Sequence, residues 1–123
     1  MKLLLFIAKP LIKTQLYDGI EPSTNHILTK KLVNALFSKR WESFKLDGEQ
    51  YLKVYVDGKH YRAVVQENKE NVFTLIYFRS KDDPASENIS KYQNYSSEKI
   101  KSNHEKVNKA LNAGEYIVLE REK

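Results

Sequence analysis

Apolar positions along the chain change their spacing several times, and each change marks an element. Residues 2–8 are an apolar run with Lys at either end, which predicts a buried first strand. The opening MKLLLFIAKP looks superficially like a secretory leader. However, its apolar stretch from Leu3 to Ala8 is shorter than such a core needs, and no small-residue cleavage site follows. Residues 13–26 hold Asp-Gly, Pro and Ser-Thr-Asn and predict a loop or irregular segment. From Ile27 the period becomes helical: Ile27, Leu28, Lys31, Leu32, Ala35 and Leu36 form one stripe, with Asn25 as its N-cap. This helix ends near Lys39–Arg40 or continues through Trp41 and Phe44. Leu46-Asp47-Gly48 then makes a turn into a strand from Tyr51.

KVYVDGKHYRAVV (53–65) places two alternating strands around Asp57-Gly58, the strongest short-range hairpin signal. A two-residue turn sets Val56 opposite Lys59, Tyr55 opposite His60, Val54 opposite Tyr61 and Lys53 opposite Arg62. Alternation then gives one face to Leu52, Val54, Val56, Tyr61, Ala63 and Val65, and the other to Tyr51, Lys53, Tyr55, His60 and Arg62. Residues 66–71 read as a polar connection, and Val72 to Arg79 as the most hydrophobic strand, central in the sheet. Residues 80–86, with Asp83-Pro84, read as a loop. Ser96 or Ser97 caps a helix to about Asn112 with Ile100, Val107, Ala110 and Leu111 inward, stopped by Ala113-Gly114. Glu115 to Glu120 is a last strand. The expected fold class is α+β: a small antiparallel sheet built from an N-terminal strand, a helix, a three-stranded meander, and a C-terminal helix and strand.

A chain of 123 residues forms one domain, 1–123. It has no cysteine, which excludes disulfides, thiolate metal sites and a Cys nucleophile and fits a reducing, cytoplasmic compartment. No stretch is long enough to span a membrane. The formal charge of +5 is unevenly spread: residues 1–81 carry 14 Lys/Arg against 8 Asp/Glu, and residues 82–123 carry 7 against 8. The basicity therefore travels with the hairpin and what precedes it, and suggests a polyanionic partner, most often nucleic acid.

Most catalytic signatures are missing. His26, His60 and His104 fall in different elements without metal-ligand spacing, and the glycine-rich phosphate and dinucleotide motifs do not occur, so no cofactor is expected. Trp41, near Phe37 and Phe44 at helical spacing, reads as core. What remains is the basic, aromatic face of the meander: Lys53, His60 and Arg62 with Tyr51 and Tyr55. Arg79 and Lys81 extend it at the end of the next strand, and Tyr92 and Tyr95 in the segment after. Like charges opposite each other destabilise a sheet, so a Lys–Arg pair there looks built for an anion. Such a face can bind phosphate through charge-assisted bonds, with arginine as a bidentate fork. It can also stabilise charge on a phosphate in flight while His or Tyr moves the proton. Equally, these side chains can reach into solvent or pair with Glu42 and Glu67. Which face Arg79 takes depends on a register that one residue would invert.

KLDG (45–48), YLKVYVDGKHYRAVV (51–65) and FTLIYFRSK (73–81) together resemble the core of the RelE/ParE bacterial toxins, including the HigB-like branch, over about a third of the chain. The resemblance implies a metal-independent endoribonuclease that cuts messenger RNA, often on the ribosome, by attack of a ribose 2′-OH on the adjacent phosphate. Lys53 matches the basic residue of the first meander strand, Arg62 the arginine of the following strand, and Arg79 or Lys81 the basic strand end. Tyr92 or Tyr95 stands for a late tyrosine, and His60 for a proton carrier. The implied partners are RNA, the ribosome and an acidic antitoxin protein. Two features depart from the family. A helical hairpin is usual where residues 13–26 look irregular, and the helix–strand extension at 96–123 is atypical. The ParE branch shares this fold without ribonuclease action, so a non-catalytic toxin, or a module binding nucleic acid or protein through the same face, stands as the alternative.

Overall fold

The computed structural model describes residues 2–11, 22–58, 61–80 and 93–122. Strand β1 (Lys2–Ala8) runs directly into one turn of helix, α1 (Lys9–Leu11), and a long helix follows, α2 (Pro22–Phe37). A meander of four strands comes next: β2 (Trp41–Leu46), β3 (Glu49–Val56), β4 (Tyr61–Lys69) and β5 (Val72–Ser80). Helix α3 (Gln93–Asn112) and strand β6 (Tyr116–Glu122) complete the chain. The fold is α+β, but the sheet is six-stranded and mixed, in the order β2-β3-β4-β5-β1-β6. β1 lies parallel to β5 and antiparallel to β6, which corrects the wholly antiparallel expectation.

Several sequence expectations change in detail. α2 begins at Pro22, a residue whose fixed φ suits a first helical turn, so Asn25 is inside the helix and does not cap it. α2 stops at Phe37 because the chain turns left-handed at Lys39, φ 56°. There Lys39 N–H donates to the Leu36 carbonyl at 3.2 Å and Arg40 N–H to the Ala35 carbonyl at 2.9 Å, the paired bonds of a Schellman end. Trp41 and Phe44 are therefore strand residues, and the meander gains a fourth strand. Asp47 (φ 50°) and Gly48 (φ 82°) make the turn out of it. The polar stretch 66–71 is mostly strand. Its side chains replace apolar contacts with hydrogen bonds, Asn68 Nδ2 donating to Thr74 Oγ1 at 2.7 Å and Gln66 Nε2 to Glu49 at 2.6 Å.

The β3–β4 hairpin keeps its faces and shifts its partners. Asp57 and Gly58 both have positive φ, as an Asp-Gly turn requires. The ladder resumes at Val56↔Tyr61, so Tyr55 faces Arg62 and Lys53 faces Val64, two residues from the expected pairing. Asp57 is held from outside the hairpin by Lys31 Nζ of α2, at 2.7 Å. A shift of two preserves side-chain parity.

One helix covers each face of the sheet. The face of Leu52, Val54, Val65, Phe73 and Leu5 is buried on the side where α2 packs against β3, and α2 buries Leu32, Val33, Ala35 and Leu36 there. Long side chains extend the packing on this side. Trp41 of β2 thus reaches Phe73 of β5 at 5.7 Å, and the Arg121 guanidinium of β6 sits 3.9 Å from the Phe37 ring while bonding Asn34. On the other face α3 buries Ile100, Val107 and Ala110 at helical spacing, and Lys101 pairs with Asp47. α3 ends at Gly114, φ 74°, with the same paired bonds as α2: Gly114 N–H to Leu111 and Glu115 N–H to Ala110. No described helix is long and apolar enough to cross a membrane.

Candidate nucleic-acid interface

The face shared by Lys53, Tyr55 and Arg62 is the α3 face, and α3 covers only part of it. Tyr51, placed by the sequence among RNA-contacting residues, is 2% exposed and lies under the helix. Its ring stacks on Phe44 at 5.6 Å and meets His104 edge-on at 5.6 Å, with its hydroxyl 2.8 Å from His104 Nδ1. That position leaves no room for a base, so Tyr51 belongs to the floor beneath the helix.

Further along the same strands this face is half-buried, not buried, at Lys53, Tyr55 and Arg62. Tyr55 pairs with Arg62 across β3–β4, and Arg62 pairs with Arg79 across β4–β5. These three positions form one row perpendicular to the strands. A bulge at Ile76, where Val64 faces Tyr77 but Val65 faces Leu75, brings Arg79 into line with Arg62. Lys53 lies two residues from Tyr55 on β3, with Glu42 of β2 as its register partner. The Lys53 ammonium lies 5.5 Å from the Tyr55 ring centroid and the Arg62 guanidinium 5.3 Å, so two cations that could not face each other across the ladder meet on one aromatic ring.

Electrostatics give Tyr55 a defined state. Burial raises its pKa above 10.0, the Glu42 carboxylate raises it further, and Arg62 opposes both. The Glu42 carboxylate thus favours the protonated phenol and the Arg62 guanidinium the ionised one. Tyr55 therefore presents a protonated hydroxyl within a cationic cluster, not an open stacking surface. Tyr51 is also raised, by burial first and by Glu49 second. A folded-state pKa above the unfolded one stabilises the protein fully below the unfolded pKa and is lost as pH rises through the folded value. Tyr51→Phe is accordingly expected to cost about 1 kcal/mol at pH 7, by removing the bond to His104. It is also expected to flatten the loss of stability seen above about pH 10. Urea melts at neutral and alkaline pH check both; a steeper alkaline loss in the variant contradicts the assignment.

Of the other sequence candidates, His60, Lys81 and Tyr92 lie outside the described residues. Tyr95 falls in the first turn of α3, and its side chain, like that of Arg79, is outside the description. The structure adds two residues. Glu42 enters as the register partner of Lys53 and as the carboxylate that raises the Tyr55 pKa. Arg40 enters because its carbonyl accepts from Tyr55 N–H at 3.1 Å, extending the β2–β3 ladder by one residue. A signal for both was present, since a second Asp-Gly turn at 47–48 calls for a strand before it as well as after it. Among the described residues no group of three His, Cys, Asp or Glu side chains gathers where a metal ion could sit. No protein-family model, curated protein or solved structure matches the chain.

Proposed function

We propose that the protein is a RelE/ParE-like messenger RNA endoribonuclease, the toxin of a toxin–antitoxin pair, acting in the cytoplasm and held inactive by an acidic antitoxin. The observation that carries this reading is the row Tyr55–Arg62–Arg79 with Lys53 beside it. Arginines at facing strand positions cost stability unless an anion lies between them. The order of a first strand, a long helix and then the strands that carry the basic positions supports this reading, while the six-stranded sheet departs from it.

In this reading the 2′-oxygen forms a bond to the adjacent phosphorus as the bond to the 5′-oxygen breaks. Charge builds on the non-bridging oxygens, where Lys53, Arg62 and the basic end at Arg79 and Lys81 stabilise it. The 2′-OH proton passes to His60, and the departing 5′-oxygen takes a proton from Tyr55, whose environment keeps it protonated. The products are a 2′,3′-cyclic phosphate and a 5′-hydroxyl. Cleavage should therefore stop when the nucleotide 5′ of the cut carries a 2′-deoxyribose, and end-labelling should show a free 5′-hydroxyl. A cut that survives the deoxy substitution contradicts the mechanism.

One observation favours the alternative, a non-catalytic toxin or binding module on the same face. The described row consists of arginine positions, whose guanidinium has no acceptor, and a phenol held in its protonated form, so it supplies no base. Tight RNA binding without any cut would select that reading.

A further inference from the structure

The cationic row does not end at Tyr55. Arg40 N–H closes α2 on Ala35 and the Arg40 carbonyl accepts from Tyr55 N–H, so both backbone groups are committed and the residue is fixed as the register neighbour of Tyr55 at the edge of the sheet. Its side chain is exposed. Four adjacent strand positions thus line up across the sheet: Arg40, Tyr55, Arg62 and Arg79. With strands about 4.8 Å apart the line is about 14 Å long, room for several consecutive phosphates of one strand.

We infer that this line is a track for the backbone of single-stranded RNA, running across the β-strands, with Arg40 gripping a phosphate at the β2 edge away from the cut. The inference rests on the RNA reading of the same face. Three observations favour a single strand. Among the described residues, the basic positions of this row follow one line across the strands. α3 forms a wall over Tyr51, only about 13 Å down β3 from Tyr55. Tyr55 has its ring taken by Lys53 and Arg62, so the row reads phosphate and not base.

The test is the salt dependence of binding to a labelled RNA oligonucleotide that carries 2′-O-methyl groups throughout and so cannot be cut. Loss of one phosphate contact lowers the slope of log affinity against log salt by about 0.7 for a single strand. Arg40→Gln should show that decrease with several-fold weaker binding, and Arg40→Lys should restore the slope. Lys45→Gln removes an exposed cation of the opposite face of β2 and should leave the slope unchanged. Equal slopes for Arg40→Gln and wild type, equal losses in Arg40→Gln and Lys45→Gln, or tighter binding of a duplex than of a single strand would each overturn the track. A wild type that binds the oligonucleotide but leaves all-ribose RNA intact removes the ribonuclease reading and keeps the track. A wild type that binds neither removes both.

Discussion

Arg62→Ala is expected to reduce RNA cleavage at least a hundredfold while leaving the melting temperature within a few degrees of wild type. Removing one preorganised donor from a site where charge develops typically costs a factor of about 10²–10³. Arg62 is central in that respect, as the neighbour of Tyr55 on one side and of Arg79 on the other. Its structural contribution is small. It lies over the Tyr55 ring at 5.3 Å, a contact of about 0.5–1 kcal/mol at a half-exposed site. Parallel cleavage assays and thermal melts check both halves. An unfolded variant would mean that Arg62 is a structural residue and that the row has been misassigned.

Leu75→Ala should give the opposite result: a loss of about 2–5 kcal/mol of stability, with the remaining folded protein still able to bind RNA. Leu75 is 0% exposed and faces Val65, also 0% exposed, on the side of the sheet away from the basic row. β5 is paired on both sides, by β4 and by β1, and the bulge at Ile76 is next in sequence, so the backbone has little freedom to collapse into the space left. For a domain with a total stability of about 5–15 kcal/mol this is a large fraction, and the melting temperature should drop by about 10 °C. Urea denaturation with unchanged slope identifies the loss as packing. A change below 1 kcal/mol would show that the site repacks.

The fold was legible wherever a residue announces its backbone. Gly114 and Lys39 end their helices with the same pair of hydrogen bonds, and stops at Ala113-Gly114 and near Lys39–Arg40 were both legible; only glycine signals a left-handed residue, so at α2 a continuation through Trp41 and Phe44 stayed open beside the stop. Because α2 seemed free to continue, β2 was hidden, and with it Arg40 and Glu42. Strand faces were legible because alternation fixes parity. Pairing partners were not, because Asp57-Gly58 marks a turn without fixing how many residues separate the two strands, and the ladder resumes only at Val56↔Tyr61. Arg79 depended on the bulge at Ile76, which no local residue marks. The burial of Tyr51 came from α3 folding back onto the same face, a tertiary event: Tyr51 and Tyr55 have the same parity, and only the helix distinguishes them.

The activity proposed for the basic row is RNA cleavage. Its most direct test is messenger RNA cleavage by the purified protein, with and without translating ribosomes and in the presence of chelator, beside Arg62→Ala. Chelator-resistant cutting by the wild type that the variant lacks is the predicted result. A folded wild type that leaves the message whole, with ribosomes and without them, would contradict it.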